Sequence, residues 1–161
     1  MNGNTKPYAI LVFGVPMSGK TQFATKFCRQ FKAPLLDFNT LHELYDLDQK
    51  AFITIISQVA LSGQTLVIEG ALDTQKQRTK LSNLLKKAGY QPVLIWVQTD
   101  VATVKRRLKA KLKSVEKAKT TFDSRIKDLE APADSENPIV ISGKYTFDTQ
   151  LKTTLARLSQ K

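Results

Sequence analysis

Apolar positions along the chain fall into two kinds of run. Short unbroken stretches rich in β-branched and aromatic residues occur at 8–13, 33–38, 65–68, 92–97 and 139–141. Such runs suit strands buried on both faces of a parallel sheet. Between them apolar residues recur every three or four positions, the period of a helix with one buried face. Phe23, Phe27 and Phe31 make the first stripe, with Cys28 beside it as a core residue. Ala51, Phe52, Ile55, Ile56 and Val59 make the second, closed by Gly63. A third helix starts from an N-cap at Asp73 or Thr74, carries Leu81, Leu84, Leu85 and Ala88, and stops at Gly89. From Asp100 a fourth follows, with Val101, Val104, Leu108, Leu112 and Val115 on one side and Lys105, Arg106, Arg107, Lys109, Lys111 and Lys113 on the others. Two more are expected, over about 117–129 and over 147–158.

Strands separated by helices build βαβ units with right-handed crossovers. The pattern therefore predicts an α/β fold of three layers, a five-stranded parallel sheet with helices on both faces. A length of 161 residues fits one domain over 1–161, and no repeat or low-complexity segment divides it. Trp96, inside the fourth strand, is expected in the core.

The first strand and first helix are joined by Gly14-Val15-Pro16-Met17-Ser18-Gly19-Lys20-Thr21. This is a complete G-x-x-x-x-G-K-[ST] motif in the setting that gives it meaning, strand before and helix after. Its glycines permit close backbone approaches. Successive N–H groups then point inward as an anion cradle, reinforced by the positive end of the helix. Lys20 reaches the β- and γ-phosphates of a nucleoside triphosphate, and the Thr21 hydroxyl is a ligand for Mg²⁺. The three-layer α/β fold is thus expected to be that of a P-loop NTPase binding Mg·ATP.

Composition narrows this only a little. Hydrophobic residues make up 42% and charged residues 24%, ordinary for a globular protein. A single cysteine forms no internal disulfide, which suits a cytoplasmic location, and no apolar run is long enough to cross a bilayer. The net charge of +11 concentrates anions around the molecule. We read it as fitting a phosphate-rich substrate ahead of a nucleic acid, because no basic patch interleaves with aromatics for base stacking.

Four segments resemble the P-loop kinases of the nucleoside-monophosphate-kinase type. Within these the chain is most similar to the group of polynucleotide 5′-hydroxyl kinases, zeta-toxin-like kinases and small-metabolite kinases. They are GVPMSGKT after the first strand, LLDFNTLH after the second, TLVIEGALDTQKQR after the third and VATVKRRLKAK after the fourth. The later FDSRIKDLEAP and NPIVISG resemble the family's end. The resemblance implies an acceptor-facing Asp-x-Asp with an Arg three positions on; this chain has Asp37, Asn39 and His42 there. It implies a carboxylate near the metal, at Glu69, which either holds Mg²⁺ through water or serves the acceptor. It implies an acceptor-facing arginine at Arg78, against which stands a solvated helix face. A basic lid over about 105–120 is implied as well, with Arg107 as its first phosphate-clamping arginine, Lys111 where a second arginine is common, and Arg125 at another arginine position. Gly143 falls where backbone contacts adenine.

The expected activity is transfer of the γ-phosphoryl group of Mg·ATP to a small hydroxyl or phosphate acceptor. Lys20, Asp37 and Arg107 are the expected catalytic residues, with Gly14, Val15, Pro16, Met17, Ser18, Gly19, Thr21, Lys111 and Gly143 on the nucleotide and Thr21 and Glu69 at the metal. Two alternatives stand beside it: a nucleotide-binding protein with a degenerate acceptor site, motivated by Asn39 and Lys111, and a polynucleotide 5′-hydroxyl kinase. A monomer or weak dimer is expected.

Overall fold

The structure is a computed structural model that describes residues 6–112, 123–124 and 126–160. β1 (Tyr8–Phe13), β2 (Leu35–Asp37), β3 (Leu66–Glu69), β4 (Gln91–Gln98) and β5 (Ile139–Ser142) form one sheet in the order β2-β3-β1-β4-β5. Every pairing is parallel. β1 lies at the centre and is buried from Ala9 onward, as its unbroken apolar run requires.

Successive side chains of β1 face opposite layers. Ala9, Leu11 and Phe13 pack with Phe52, Ile56, Leu81 and Leu85, from helices α3 (Gln49–Ala60) and α4 (Gln75–Lys87). Ile10 and Val12 pack with Phe23 and Phe27 of α1 (Lys20–Phe31) and with Phe147 and Leu151 of the closing helix, Phe147–Leu158. Each buried phenylalanine removes enough apolar surface to contribute about 2–3 kcal/mol. Cys28 lies within the second cluster, and burial pushes its thiol up to about 11, so it is an inert core residue.

The structure revises several expectations. The second strand ends at Asp37, and an unforeseen helix, α2 (Phe38–Tyr45), follows at once. The cap of α4 is Thr74, in a reciprocal capping box with Gln77, and Asp73 stays outside it. The helix α5 (Val101–Leu112) buries Val104 and Leu108, but Val101 is exposed because it precedes the turn that meets the loop. Phe31 is likewise exposed at the end of α1, its ring centroid 4.5 Å from that of Phe27 and tilted by 39°. Trp96 is half-buried and lies 6.0 Å from Phe13, ring over ring. Lys113, Val115, Arg125, most of the helix expected over 117–129 and the lid beyond Leu112 lie outside the described residues; Ile126 packs with Val104 and Leu108. The closing helix is numbered α6.

Parallel pairing brings every strand's C-terminal end to one edge of the sheet. That edge collects Gly14, Asp37, Glu69, Thr99 and Gly143, where ligands bind in open α/β sheets.

Candidate functional site

Gly14 to Thr21 connect β1 to α1 as a compact turn, closed by a hydrogen bond from Ser18 N to Val15 O at 3.2 Å. The side chains of Asp37, Asp48, Asp100, Thr74 and Thr146 cap α2, α3, α5, α4 and α6 respectively. Gly19, at the N-cap of α1, offers no side chain, so the first amides of α1 receive no capping side chain. A helix start left open in this way is an anion site. Met17, a non-glycine residue at φ 62°, adds backbone strain of the kind that collects at ligand clamps.

Two polar atoms at this turn are buried without a hydrogen-bond partner among the described residues: Ser18 Oγ and Glu69 Oε2. Thr21 Oγ1 donates to the other carboxylate oxygen, Glu69 Oε1, at 2.5 Å. Glu69 ends β3 and is 1% exposed. Burial pushes its carboxyl above the usual range, while the Thr21 hydroxyl and the Lys20 charge pull it back and Asp37 adds to the rise. A hydroxyl and a half-satisfied buried carboxylate side by side form a hard oxygen donor set, the chemistry that suits a divalent cation such as Mg²⁺. Lys20 and Thr21 occupy the first turn of α1, and the Lys20 charge acts on Glu69.

The loop is braced from the far side of the sheet by main chain. A Cβ on Gly14 would overlap the Val97 carbonyl oxygen, and one on Gly143 would overlap the carbonyl of Ser18 and the hydroxyl of Thr99. Gly143 N donates to Gln98 O at 2.7 Å and Thr99 Oγ1 to Ser18 O at 3.0 Å, fixing β4, β5 and the loop together. Arg107 of α5 spans the top, its Nη1 donating to Met17 O at 3.0 Å and its Nη2 to Gly143 O at 2.9 Å. Lys111, one turn on, is exposed. Beside this brace opens a cleft of about 720 Å³ lined by Val15, Trp96, Thr99, Ser142, Lys144 and Tyr145. Lys144 pairs with Asp100 at 3.0 Å across its mouth.

At the other end of the edge, the Asp37 carboxylate accepts Asn39 N at 3.0 Å, Thr40 N at 3.4 Å and Thr40 Oγ1 at 2.6 Å, all within the first turn of α2. Asn39 lies over Gly70, and His42 is exposed, stacked on Phe38 at 5.6 Å with Nδ1 bonded to Leu47 O at 3.0 Å. Arg78 neither faces an acceptor nor lies on a solvated helix face. It is 1% exposed, pairs with Glu136 at 2.7 and 3.1 Å, and donates to Leu72 O and Asp73 O at 3.0 and 3.1 Å and to Glu130 O at 3.1 Å. Its guanidinium sits 4.6 Å over the Phe13 ring, which lets the charge be buried with its donors satisfied. Sequence reasoning missed this knot because Glu130 and Glu136 lie 52 and 58 residues away.

A family model described as an AAA domain matches residues 10–133. No curated protein matches the chain by sequence. Among solved structures, a gluconokinase from Sinorhizobium meliloti 1021 superposes with a TM-score of 0.74 at 15% identity, over 96% of this chain and 93% of that one. The Mycobacterium tuberculosis APS kinase CysC, in complex with AMPPNP and APS, gives 0.73 at 17% identity, over 96% and 98%. Kti12 from Chaetomium thermophilum, in complex with ADP-AlF3, gives 0.66 at 14%, over 90% and 98%. None of the described helices is long and apolar enough to cross a membrane. With a family model over most of its length and kinase structures sharing its whole sheet, the chain belongs to the AAA domain family and has the α/β fold of the P-loop kinases.

Proposed function

We propose that the protein is an ATP-dependent phosphotransferase, a single domain in the cytoplasm that moves the γ-phosphoryl group of Mg·ATP to a small hydroxyl or phosphate acceptor. The observation that carries this reading is the pair Thr21 and Glu69, joined at 2.5 Å beside an uncapped helix start, with Glu69 Oε2 and Ser18 Oγ buried and unsatisfied. Each unmet polar atom costs about 1–3 kcal/mol. A bound phosphate tail with its cation satisfies both.

In this reading Gly14, Val15, Pro16, Met17, Ser18 and Gly19 wrap the phosphates with main-chain N–H groups, and Lys20 pairs with the terminal ones. The cation, held by Thr21 and Glu69, neutralises charge that spreads over the phosphoryl oxygens in a loose transition state. Arg107 and Lys111 add positive charge from above, and Arg107 keeps the loop in shape through Met17 and Gly143. The base of the nucleotide takes the cleft lined by Thr99, Ser142 and Tyr145, of which Ser142 immediately precedes Gly143 in sequence. The nucleotide ligands named for the M. tuberculosis and C. thermophilum structures support a nucleotide here.

A second reading, a nucleotide-binding protein with little transferase activity, draws on Asn39 lying against Gly70 where the family resemblance implies a carboxylate. Labelled-ATP transfer to a panel of nucleosides, nucleotides, 5′-hydroxyl oligonucleotides and small metabolites separates the two, with Lys20→Ala as control. Lys20-dependent label on any acceptor supports the transferase. Calorimetric binding of Mg·ATP with no label on any of them supports the second reading. A Lys20→Ala variant that binds as well as the wild type removes both.

A further inference from the structure

The reading as a phosphotransferase needs a carboxylate on the acceptor side, and two aspartates lie there in different situations. Asp37 has both oxygens occupied by the first turn of α2. Asp73 stands on the loop after β3, four residues beyond Glu69. Because Thr74 caps α4, Asp73 has no capping role, and its carboxylate makes no hydrogen bond to the described residues. The residue is open to solvent.

Its backbone, by contrast, is held firmly. Asp73 O accepts Glu130 N at 2.8 Å and Arg78 Nη1 at 3.1 Å, while Leu72 O accepts Arg78 Nη1 at 3.0 Å. Glu130 closes the loop again through Oε2, which accepts Gln75 N at 2.7 Å. On the near side Gly70 and Ala71 take consecutive left-handed conformations, φ 83° and 54°, which turn the chain sharply as it leaves Glu69. A non-glycine residue kept in that region is the strain expected where position matters. An exposed side chain thus rises from a rigid post and lies within electrostatic reach of Lys20.

We propose that Asp73 is the residue that orients the acceptor hydroxyl and takes its proton, with Arg78 as the residue that positions it. In the step, the acceptor oxygen bonds to the γ-phosphorus as the bond to the β–γ bridging oxygen breaks. ADP leaves with that electron pair, and the acceptor proton passes to the Asp73 carboxylate. Although the residue reaches solvent, partial desolvation of its carboxyl raises it above its ordinary value, against the pull of Lys20, with Asp128 adding to the rise and Arg78 opposing it. A base shifted toward neutrality accepts a proton more readily. Where Asp37 and Asp73 compete for the same task, Asp73 is the one whose oxygens are available.

The proposal rests on the phosphotransferase reading, and Asp73→Asn tests it in two measurements on the full chain. Calorimetry with Mg·ATP at low ionic strength reads affinity: loss of a negative charge near Lys20 tightens binding several-fold. Labelled-ATP turnover, with the best acceptor of the panel or with water, falls by about 10²- to 10⁴-fold. Asp48→Asn, the same change at the cap of α3, serves as a fold-matched control and moves neither. Arg78→Lys lowers kcat and leaves the Mg·ATP affinity unchanged, a split that general loss of stability does not produce. An Asp73→Asn protein with wild-type turnover overturns the proposal, as does loss of turnover in Asp37→Asn while Asp73→Asn stays active. Where turnover is too slow to read, an unchanged affinity places Asp73 away from the phosphates and overturns it as well. A wild-type chain that binds no Mg·ATP removes the phosphotransferase reading itself, a different outcome from either.

Discussion

At the ends of β1, β4 and β5, main chain packs on main chain beneath the side chains of Thr99 and Arg107, whereas at the ends of β2 and β3 the loops are held by side chains without such close backbone packing. On the phosphate side Gly143 and Gly14 touch carbonyl oxygens of Ser18 and Val97 with no room for a Cβ. On the acceptor side Arg78 ties Leu72, Asp73, Glu130 and Glu136 together, and the Asp37 carboxylate starts a helix that buries none of its residues. The difference means that opposite changes break the two regions. Adding a methyl group breaks the first, and removing side-chain atoms breaks the second.

The largest effect is expected from removal. Arg78→Ala removes the ionic partner of Glu136 and a donor from the carbonyls of Leu72, Asp73 and Glu130, of which Asp73 O keeps Glu130 N, and breaking a buried pair of this kind costs about 3–5 kcal/mol. Urea denaturation measures it. The pH profile carries the same information. The Arg78 guanidinium, more than any other neighbour, holds the Glu136 carboxyl below the usual carboxylate range, against a smaller rise from burial. A group lowered on folding stabilises above its unfolded value, near pH 4, and that stability is lost as pH falls through the folded value. Wild-type stability should therefore decline on this acid limb, and Arg78→Ala should be flatter there. An unchanged limb would mean that the knot is not electrostatic.

On the phosphate side addition comes next. Gly143→Ala forces a methyl group into the Ser18 carbonyl and the Thr99 hydroxyl, so backbone must move, at about 1–3 kcal/mol. Since the displaced atoms belong to the phosphate loop, Mg·ATP affinity should fall more than stability alone accounts for. An alanine variant with native calorimetric affinity would show that the loop does not depend on β5.

Glu69→Gln probes the point where the two regions meet. The loss of a carboxylate beside Thr21 is expected to weaken Mg·ATP binding by about 10- to 100-fold. Stability moves the other way. Burial raises the Glu69 carboxyl, so its favourable contribution is complete below the unfolded value and is lost as pH rises through the folded one. At neutral pH the variant should melt higher than wild type, and the gap should close as pH falls toward 4. A lower melting temperature at neutral pH would mean that the carboxylate is satisfied in the protein alone.

The same division explains what the chain announces in its order of residues. The phosphate loop is local: eight consecutive residues between a strand and a helix carry it, so pattern and motif suffice. β1 and the stripes of α1, α3 and α4 are legible because burial on one or both faces imposes a period. α2 escaped because it is eight residues long with no buried position, leaving no period to read; the signal present was Asp37 three residues before Thr40. Arg78 reads as an acceptor or solvent residue because it sits among polar neighbours, and only the fold brings Glu130 and Glu136 to it. Asp73 and Thr74 compete for one cap in sequence. The capping box with Gln77 decides between them in space.

The smallest expected effect tests whether the acceptor side is held as loosely at α2 as it is tightly at Arg78. Asp37→Ala removes three hydrogen bonds from the first turn of α2, and loss of such a cap costs about 1 kcal/mol. The apolar hold on α2 among the described residues is half-buried Phe38 and Leu41, with none of its side chains fully buried, so the loss should appear as fraying of α2 before global unfolding. Hydrogen exchange would show faster exchange over 38–45, with β1 and β3 unchanged. Mg·ATP affinity should stay close to its wild-type value, because the Asp37 carboxylate is occupied by its own helix and reaches the site only through a minor charge effect on Glu69. A drop in affinity with α2 still protected would place Asp37 in the nucleotide site and erase the contrast between the two regions.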